Sequence, residues 1–278
     1  MNILIQDYTD NICSESRLLF IESKKNHKIN TYLYNPQDNK SIYDTIDSTN
    51  PEYILTDVRF VTPDLVHYLT YNNVGKIIIL KIPESISNED YEKVTTSDFF
   101  KKHVFLTING RGQHKDIRNV NIKPCVDDNI PTIKLKRNIP LAIILNDNTI
   151  PQSLAESERS YHCVSFKQNQ NADMQGPNIS IAGIYGNYDK IIFDSIDSFE
   201  QPFFDALYRS KEVYFTSSNK KLGELSEKLF GYNLELNSSV DFEKVKNKIK
   251  EKHMPCHRLK TLLSQMSIDQ SLFMEVNK

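Results

Sequence analysis

The sequence feature that most constrains the fold is KIIILKI at residues 76–82, the most continuously apolar run in the chain. A strand that is apolar on both faces belongs at the centre of a parallel sheet, where helices cover both sides. Shorter strand-like runs at 2–6, 28–34, 52–57 and 104–108 alternate with helix-like segments. The first hundred residues are therefore predicted to form a parallel α/β sheet.

A second series of strands and helices begins at residue 141. Strands are predicted at 141–145, 161–166, 179–185, 190–193 and 212–215, and helices at 151–159, 220–230, 242–252 and 259–266. The chain is therefore predicted to be an α/β protein with two Rossmann-like domains, at 1–118 and 140–278, joined by a linker at 119–139.

The composition is that of an ordinary globular protein. The 278 residues are 25% charged and 39% hydrophobic, with a net charge of −2. No apolar run reaches membrane-spanning length and no signal-peptide core is recognised, so a cytoplasmic monomer without a membrane partner is expected. Cys13, Cys125, Cys163 and Cys256 lack metal-ligand spacing and are expected to be free thiols.

Two basic segments interrupt a slightly acidic chain. Counting Lys and Arg against Asp and Glu, the formal charge is +6 over residues 101–140 and +4 over 241–260. In the first basic segment, the candidates for binding an anionic partner are Arg111, His114, Lys115 and Arg118. Such segments serve polyanionic partners, or they are ordinary solvated surfaces.

Several common enzyme signatures are absent from the sequence. The residues after the first strand do not form a Gly-rich dinucleotide fingerprint, and neither a Walker A motif nor a GxSxG motif occurs. His253 and His257 have the spacing of metal ligands on a helix, but Pro255 lies between them. No metal site is therefore assigned. An obligatory metal is not expected, although the sequence is compatible with Mg²⁺ as a cofactor.

Acidic residues cluster in DSFEQPFFDALYRSKEVYF, residues 197–215. Seven residues separate Asp197 from Asp205, Glu200 lies between them, and a helix and a short strand are predicted around and after them. An ionised carboxylate accepts two hydrogen bonds, which suits the vicinal hydroxyl groups of a ribose. Two acids near a helix N-terminus can equally serve only to stabilise the helix dipole.

This register resembles the Glu-x7-Glu motif of glycosyltransferases with the GT-B fold, with Asp in place of Glu at both positions. The resemblance implies two Rossmann-like domains facing a cleft, with the acceptor bound by the first domain and a UDP-sugar donor by the second. It also implies that the C-terminal helices pack back toward the junction of the domains. It further implies that Asp205 contacts the donor ribose, with Asp197 and Glu200 beside it and Glu200 as the reserve candidate.

A narrower resemblance is to the phage DNA glycosyltransferases that modify 5-hydroxymethylcytosine. The motifs that carry it are Ser14-Glu15, Thr56-Asp57-Val58-Arg59, Gly186-Asn187 and Asp205-Ala206-Leu207. It implies that Asp57 is the catalytic base, that Glu15 contacts the sugar, and that Gly186 and Asn187 lie at the donor. Arg59 and the first basic segment would then bind double-stranded DNA, in the host cytoplasm.

The chain departs from that family at two points. Counting strands places the base-bearing strand at 76–82, which would make Glu84 the base in place of Asp57. The loop at 146–153 has no arginine for the diphosphate, and N–H groups at the start of the next helix could serve instead.

The resemblance leaves the sugar and the acceptor open. The chain is shorter than glucose-transferring relatives, so a pentose, as in an arabinosyltransferase, stands beside glucose. A surface saccharide is the alternative acceptor. A non-catalytic protein that binds a nucleotide or nucleic acid is the alternative from a different class.

Overall fold

A computed structural model gives the structure of the chain. It describes residues 1–6, 15–25, 28–35, 37, 40–72, 78–82, 86–110, 117–136, 139–145, 161–166, 172–176, 178–197, 199–216 and 219–266. By its contacts the chain divides into two compact units, Met1–Lys123 with Cys256–Lys278 (unit 1) and Pro124–Pro255 (unit 2). The predicted linker spans the change from unit 1 to unit 2.

Unit 1 contains a parallel sheet whose described strands follow the order β2-β1-β3-β4-β5-β6. The strands are β1 (Asn2–Gln6), β2 (Asn30–Tyr34), β3 (Tyr53–Asp57), β4 (Ile78–Lys81), β5 (Val104–Ile108) and β6 (Arg118–Val120). The helices are α1 (Glu15–Ser23), α2 (Ile42–Thr49), α3 (Pro63–Tyr71), α4 (Asn88–Thr96), α5 (Asp98–His103) and, near the end of the chain, α10 (Pro255–Gln265).

Alternation along each strand divides the core of unit 1 between the two faces of its sheet. On one face, Ile3 and Ile5 pack with Leu19 of α1 and with Leu259 and Leu263 of α10. On the other face, residues of α2, α3, α4 and α5 pack in a cluster with Leu4 of β1. The run at 76–82 lies where its apolar character predicts, because Ile78, Ile79 and Leu80 of β4 are fully buried between these layers.

Unit 2 contains a second parallel sheet with the order β11-β10-β7-β8-β9. Its strands are β7 (Leu141–Leu145), β8 (Tyr161–Ser165), β9 (Met174–Gln175), β10 (Lys190–Phe193) and β11 (Glu212–Phe215). Its described helices are α6 (Asn178–Ile184), α7 (Gln201–Arg209), α8 (Lys220–Phe230) and α9 (Phe242–Lys252). The predicted α/β class with two parallel sheets is confirmed.

Side-chain caps set the beginnings of many helices. The side chain of each capping residue accepts a hydrogen bond from a backbone N–H of the first turn. These residues are Ser41, Thr62, Ser87, Ser97, Asn219 and Asp241. At the other end, Gly231 closes α8 with φ of 76°, a left-handed conformation that glycine adopts without steric cost. The predicted end of this helix at Gly231 is confirmed.

One predicted strand is wrong, with consequences for the candidate site. Residues 179–185 were expected to be a strand ending at Gly186, but Asn178–Ile184 is the helix α6 and Tyr185–Asn187 is a 3-10 turn. The described side chains from Ile181 to Tyr185 are buried, so the segment shows no polar face that would mark a helix in the sequence.

Asn187 ties this turn to the preceding chain. Its Nδ2 donates to the carbonyl oxygens of Ile133 at 2.7 Å and Ile184 at 2.8 Å. Its Oδ1 accepts the N–H of Leu135 at 3.0 Å. The amide side chain therefore holds residues 133–135 against the end of α6.

We expect Asn187→Ala to lower the free energy of unfolding by about 1–3 kcal/mol, because backbone groups at residues 133–135 lose their partner. Asn247→Ala, an exposed position on α9, is the matched control and should change it by less than about 0.5 kcal/mol. Urea unfolding followed by circular dichroism measures both. Equal effects of the two substitutions would contradict a tying role for Asn187.

Candidate functional site

The crevice of unit 1 lies between the carboxyl ends of β1 and β3. The chain passes from β1 outward to β2 on one side, and from β3 outward to β4 on the other. Open parallel sheets bind ligands at such a switch point, outside the carboxyl ends of the strands. Gln6 ends β1, and Thr56 and Asp57 end β3, so three polar residues occupy this position.

These three polar residues are buried, and the side chains of Gln6 and Thr56 are hydrogen-bonded to each other. The Thr56 hydroxyl donates to Oε1 of Gln6 at 2.9 Å, and Nε2 of Gln6 donates to the Phe60 carbonyl at 3.4 Å. Asp57 is 3% exposed. A polar cluster of this kind at a switch point holds the end of β3 in one conformation.

Asp57 forms a bidentate ion pair with Arg59. Its Oδ1 accepts Nε of Arg59 at 2.9 Å and its Oδ2 accepts Nη2 at 2.8 Å. Oδ1 also accepts the backbone N–H of Arg59, so Asp57 caps the 3-10 turn Val58–Phe60. Because the Arg59 side chain is 53% exposed, its displacement by a ligand would open the carboxylate. The catalytic role of Asp57 stays a prediction.

The other candidates in unit 1 are not brought together with Asp57 by the described structure. Glu84, Arg111, His114 and Lys115 lie outside the described residues, and Glu15 begins α1 with a side chain that is not described. Arg118 begins β6, and its Nη1 donates to the carbonyl of Gln265 at 2.9 Å. The guanidinium of Arg118 therefore binds the C-terminal end of α10.

The crevice of unit 2 lies between the carboxyl ends of β7 and β10, because the chain leads from β7 to β8 on one side and from β10 to β11 on the other. Asp194 and Ser195 follow β10, and Thr216 follows β11. Oδ1 of Asp194 accepts the Thr216 hydroxyl at 2.9 Å and the Ser195 hydroxyl at 3.2 Å. Oγ1 of Thr216 in turn accepts the backbone N–H of Ser195 at 3.1 Å.

Ser195 has φ of 47°, in the left-handed region that non-glycine residues rarely adopt. Residues held in such conformations concentrate at ligand sites. Sequence reasoning missed Asp194, Ser195 and Thr216. The signal was present, because Asp194 directly follows the buried strand 190–193 and a polar residue in that place is a candidate by the carboxyl-end rule.

Asp197 and Glu200 lie in the loop between β10 and α7, on the carboxyl side of the sheet, and both are exposed. Glu200 is the residue before α7, and its side chain makes no cap hydrogen bond. Two exposed carboxylates beside Asp194 are able to accept the hydroxyl groups of a sugar. Their predicted role at the donor stays a prediction.

Asp205 is fully buried within α7. Its Oδ1 accepts the backbone N–H of Asp127 at 2.6 Å, and Nη2 of Arg209, one turn later, donates to the Asp127 carbonyl at 2.7 Å. The two side chains thus bind the backbone N–H and the backbone carbonyl of the same residue, Asp127. Because Asp205 is fully buried, a ribose could reach its carboxylate only if the packing around it opened.

Gly186 and Asn187 lie at the opposite edge of the unit 2 sheet from Asp194. They precede β10, and the carbonyl that accepts the N–H of Asp189 belongs to Pro140, just before β7. These two candidates therefore lie at the amino ends of the strands.

No group of three or more His, Cys, Asp or Glu side chains among the described residues could hold a metal ion. No helix in the described part of the chain is long and apolar enough to cross a membrane. Burial raises the pKa of the Cys163 thiol to about 11, so this cysteine is a poor nucleophile at neutral pH.

No protein-family model matches the chain, and no curated protein sequence matches it. Among solved structures, the chain is similar to the glycotransferase of kitacinnamycin, with 10% identity and a TM-score of 0.39 over 99% of this chain and 94% of that one. It is also similar to S. aureus MnaA in a UDP co-structure, with 10% identity and a TM-score of 0.45 over 99% of this chain and 90% of that one. Similarity of this degree concerns the course of the chain and identifies no residue of the site.

We expect Asp205→Ala to lower the free energy of unfolding by about 1–3 kcal/mol, because the buried Asp127 N–H loses its acceptor. Asp197→Ala removes the same group from an exposed loop and should change it by less than about 0.5 kcal/mol. Urea unfolding in the absence of ligand compares the two variants. An Asp205→Ala protein as stable as Asp197→Ala would show that the Asp127 contact contributes nothing.

Proposed function

We propose that the chain is a glycosyltransferase that moves a sugar from a UDP-sugar to a hydroxyl group of an acceptor. The observation that carries the proposal is that each of two parallel sheets ends in acidic side chains at its own switch point. Asp57 has this position in unit 1, and Asp194 has it in unit 2, with Asp197 and Glu200 nearby. A reaction between a nucleotide-bound sugar and a separate acceptor needs two binding sites of this kind.

In the proposed reaction, unit 2 binds the donor. The carboxylates of Asp197 and Glu200 accept hydrogen bonds from ribose or sugar hydroxyl groups. Residues 149–153, which follow β7 in the sequence, are proposed to bind the diphosphate through backbone N–H groups. Asp205 remains a ribose candidate from the sequence resemblance, with Glu200 as its exposed alternative.

Unit 1 is proposed to supply the base. The acceptor oxygen attacks C1 of the sugar, the bond from C1 to the diphosphate oxygen breaks, and the hydroxyl proton passes to a carboxylate. Asp57 is the first candidate because of its place at the switch point, and Glu84 and Glu15 are the alternatives from the sequence. Release of Arg59 from Asp57 would free the carboxylate and leave a cation for an anionic acceptor.

Donor binding is tested by thermal melting with UDP-glucose and with a UDP-pentose such as UDP-arabinose. A bound donor at about one hundred times its Kd should stabilise the protein by about 2.7 kcal/mol. Slow hydrolysis of the donor without an acceptor would separate an enzyme from a protein that only binds nucleotides. No stabilisation by any UDP-sugar would remove the proposal.

We expect that replacing the true catalytic base lowers the single-turnover rate about 10²–10⁴-fold with little change in donor affinity, because proton transfer alone is lost. The variants are Asp57→Asn, which can still cap the turn through its amide oxygen, and Glu84→Gln. Glu92→Gln, an exposed acid on α4, is the control. A loss of only a few-fold in both variants would exclude both as the base.

For the acceptor, we propose 5-hydroxymethylcytosine in double-stranded DNA, on the sequence resemblance and the charge of the first basic segment. If phosphates are neutralised by this segment, the logarithm of duplex affinity falls steeply with the logarithm of salt concentration. Replacing Arg111 and Lys115 by Ala should reduce that slope by about two. Arg118 is left in place because it binds the end of α10.

The control for this experiment is Lys220→Ala with Lys221→Ala, which removes the same charge from α8, outside both basic segments. An equal change in slope for both pairs would argue against a specific DNA surface. Absence of duplex binding at low salt would leave the glycosyltransferase proposal standing and move the acceptor to a saccharide.

A further inference from the structure

Unit 2 has a second cleft, of about 450 Å³, at the amino edge of its sheet. Residues that line it are Glu243, Lys246 and Lys250 of α9, Tyr208 and Arg209 of α7, and Gly186 and Thr132. Gly186 precedes β10 and Arg209 precedes β11, whereas Asp194 and Thr216 follow these strands. The cleft therefore lies at the opposite edge of the sheet from the acidic crevice.

The cleft lining is basic. Three cationic side chains border it, and Glu243 is its one acidic residue. Nζ of Lys246 lies 3.7 Å from Glu243, but the Glu243 side chain is 83% exposed and that of Lys246 is 17% exposed. An ion pair with a solvated carboxylate is weak. Lys246 therefore keeps most of its capacity to bind another anion.

Arg209 and Lys250 have no carboxylate within ion-pair distance in the described part of the chain. Nη2 of Arg209 donates to the Asp127 carbonyl, which fixes the guanidinium in place. A guanidinium that is fixed in place at the wall of the cleft can bind an anion with several oxygen atoms.

Gly186 keeps the cleft open. A Cβ atom added there would meet only the carbonyl oxygen of Arg209, at 3.9 Å, and the backbone of Gly186 does not have positive φ. A larger side chain could therefore be accommodated by the backbone and would extend into open space. The absence of a side chain at this position leaves room beside Arg209.

From this geometry we infer that the amino-edge cleft binds the phosphate groups of a small phosphorylated ligand. Three cations border the cleft, and its volume of about 450 Å³ is larger than a single inorganic phosphate fills. The volume is within the range of small-molecule sites, about 300–1,000 Å³. Gly186, Arg209, Lys246 and Lys250 form the site. The inference is independent of the proposed glycosyltransferase activity, since no residue of the acidic crevice enters it.

The test is calorimetric titration of the full chain with pyrophosphate at low ionic strength. We expect binding that is weakened at least about tenfold in the double variant Lys246→Ala with Lys250→Ala, because two charge-assisted contacts are lost. Gly186→Leu should also abolish binding, by filling the cleft while keeping every charge. Lys228→Ala, an exposed lysine of α8 outside the cleft, is the control and should bind as the unchanged protein does.

A second titration uses a short DNA duplex with the same variants. Pyrophosphate binding that all the variants retain, or no pyrophosphate binding at all, would overturn the inference. Duplex binding that depends on Lys246 and Lys250 without pyrophosphate binding would also overturn it, in favour of a surface for a phosphodiester backbone. The Gly186→Leu result keeps the test decisive if the double lysine variant is unstable.

Discussion

Parallel pairing is the constraint on which the rest of this structure depends. Every described strand pair in both sheets runs in the same direction, so each sheet has one edge of carboxyl ends and one edge of amino ends. Successive strands must then be joined across the sheet, usually by helices, and each residue after a strand falls on the same side. This geometry places Asp57 and Asp194 at the carboxyl ends of the strands in their sheets. It also places Gly186 and Arg209 at the other edge of unit 2.

Much of the fold could be predicted, because buried parallel strands are apolar on both faces. The runs at 2–6, 104–108 and 141–145 are strands with the expected bounds. The same rule failed at 179–185, because a short apolar segment that is buried all round has the composition of a strand or of a helix. That single error moved Gly186 and Asn187 to the wrong edge of the sheet.

The candidate site was predictable only where a residue's role depends on its neighbours in sequence. Asp57 follows an apolar strand and is bonded to Arg59 two residues away, so both its position and its capping role could be expected. The burial of Asp205 could not, because its partner is the N–H of Asp127, 78 residues earlier in the chain. Arg118, likewise, binds a carbonyl 147 residues away. Contacts of that range depend on how the whole unit packs, and no local pattern carries them.

Because α10 packs in the core of unit 1, the two units can complete their folding at different times during synthesis. Unit 2 is one continuous stretch, Pro124–Pro255, whereas unit 1 is completed by a helix that follows unit 2 in the chain. At about 5–20 residues per second, a ribosome needs on the order of ten seconds or more between β6 and the end of α10. During that interval, the sheet face that carries Ile3 and Ile5 lacks part of its cover. The later-made unit can therefore finish folding first. Until α10 is made, the first sheet exposes apolar surface that chaperones can cover.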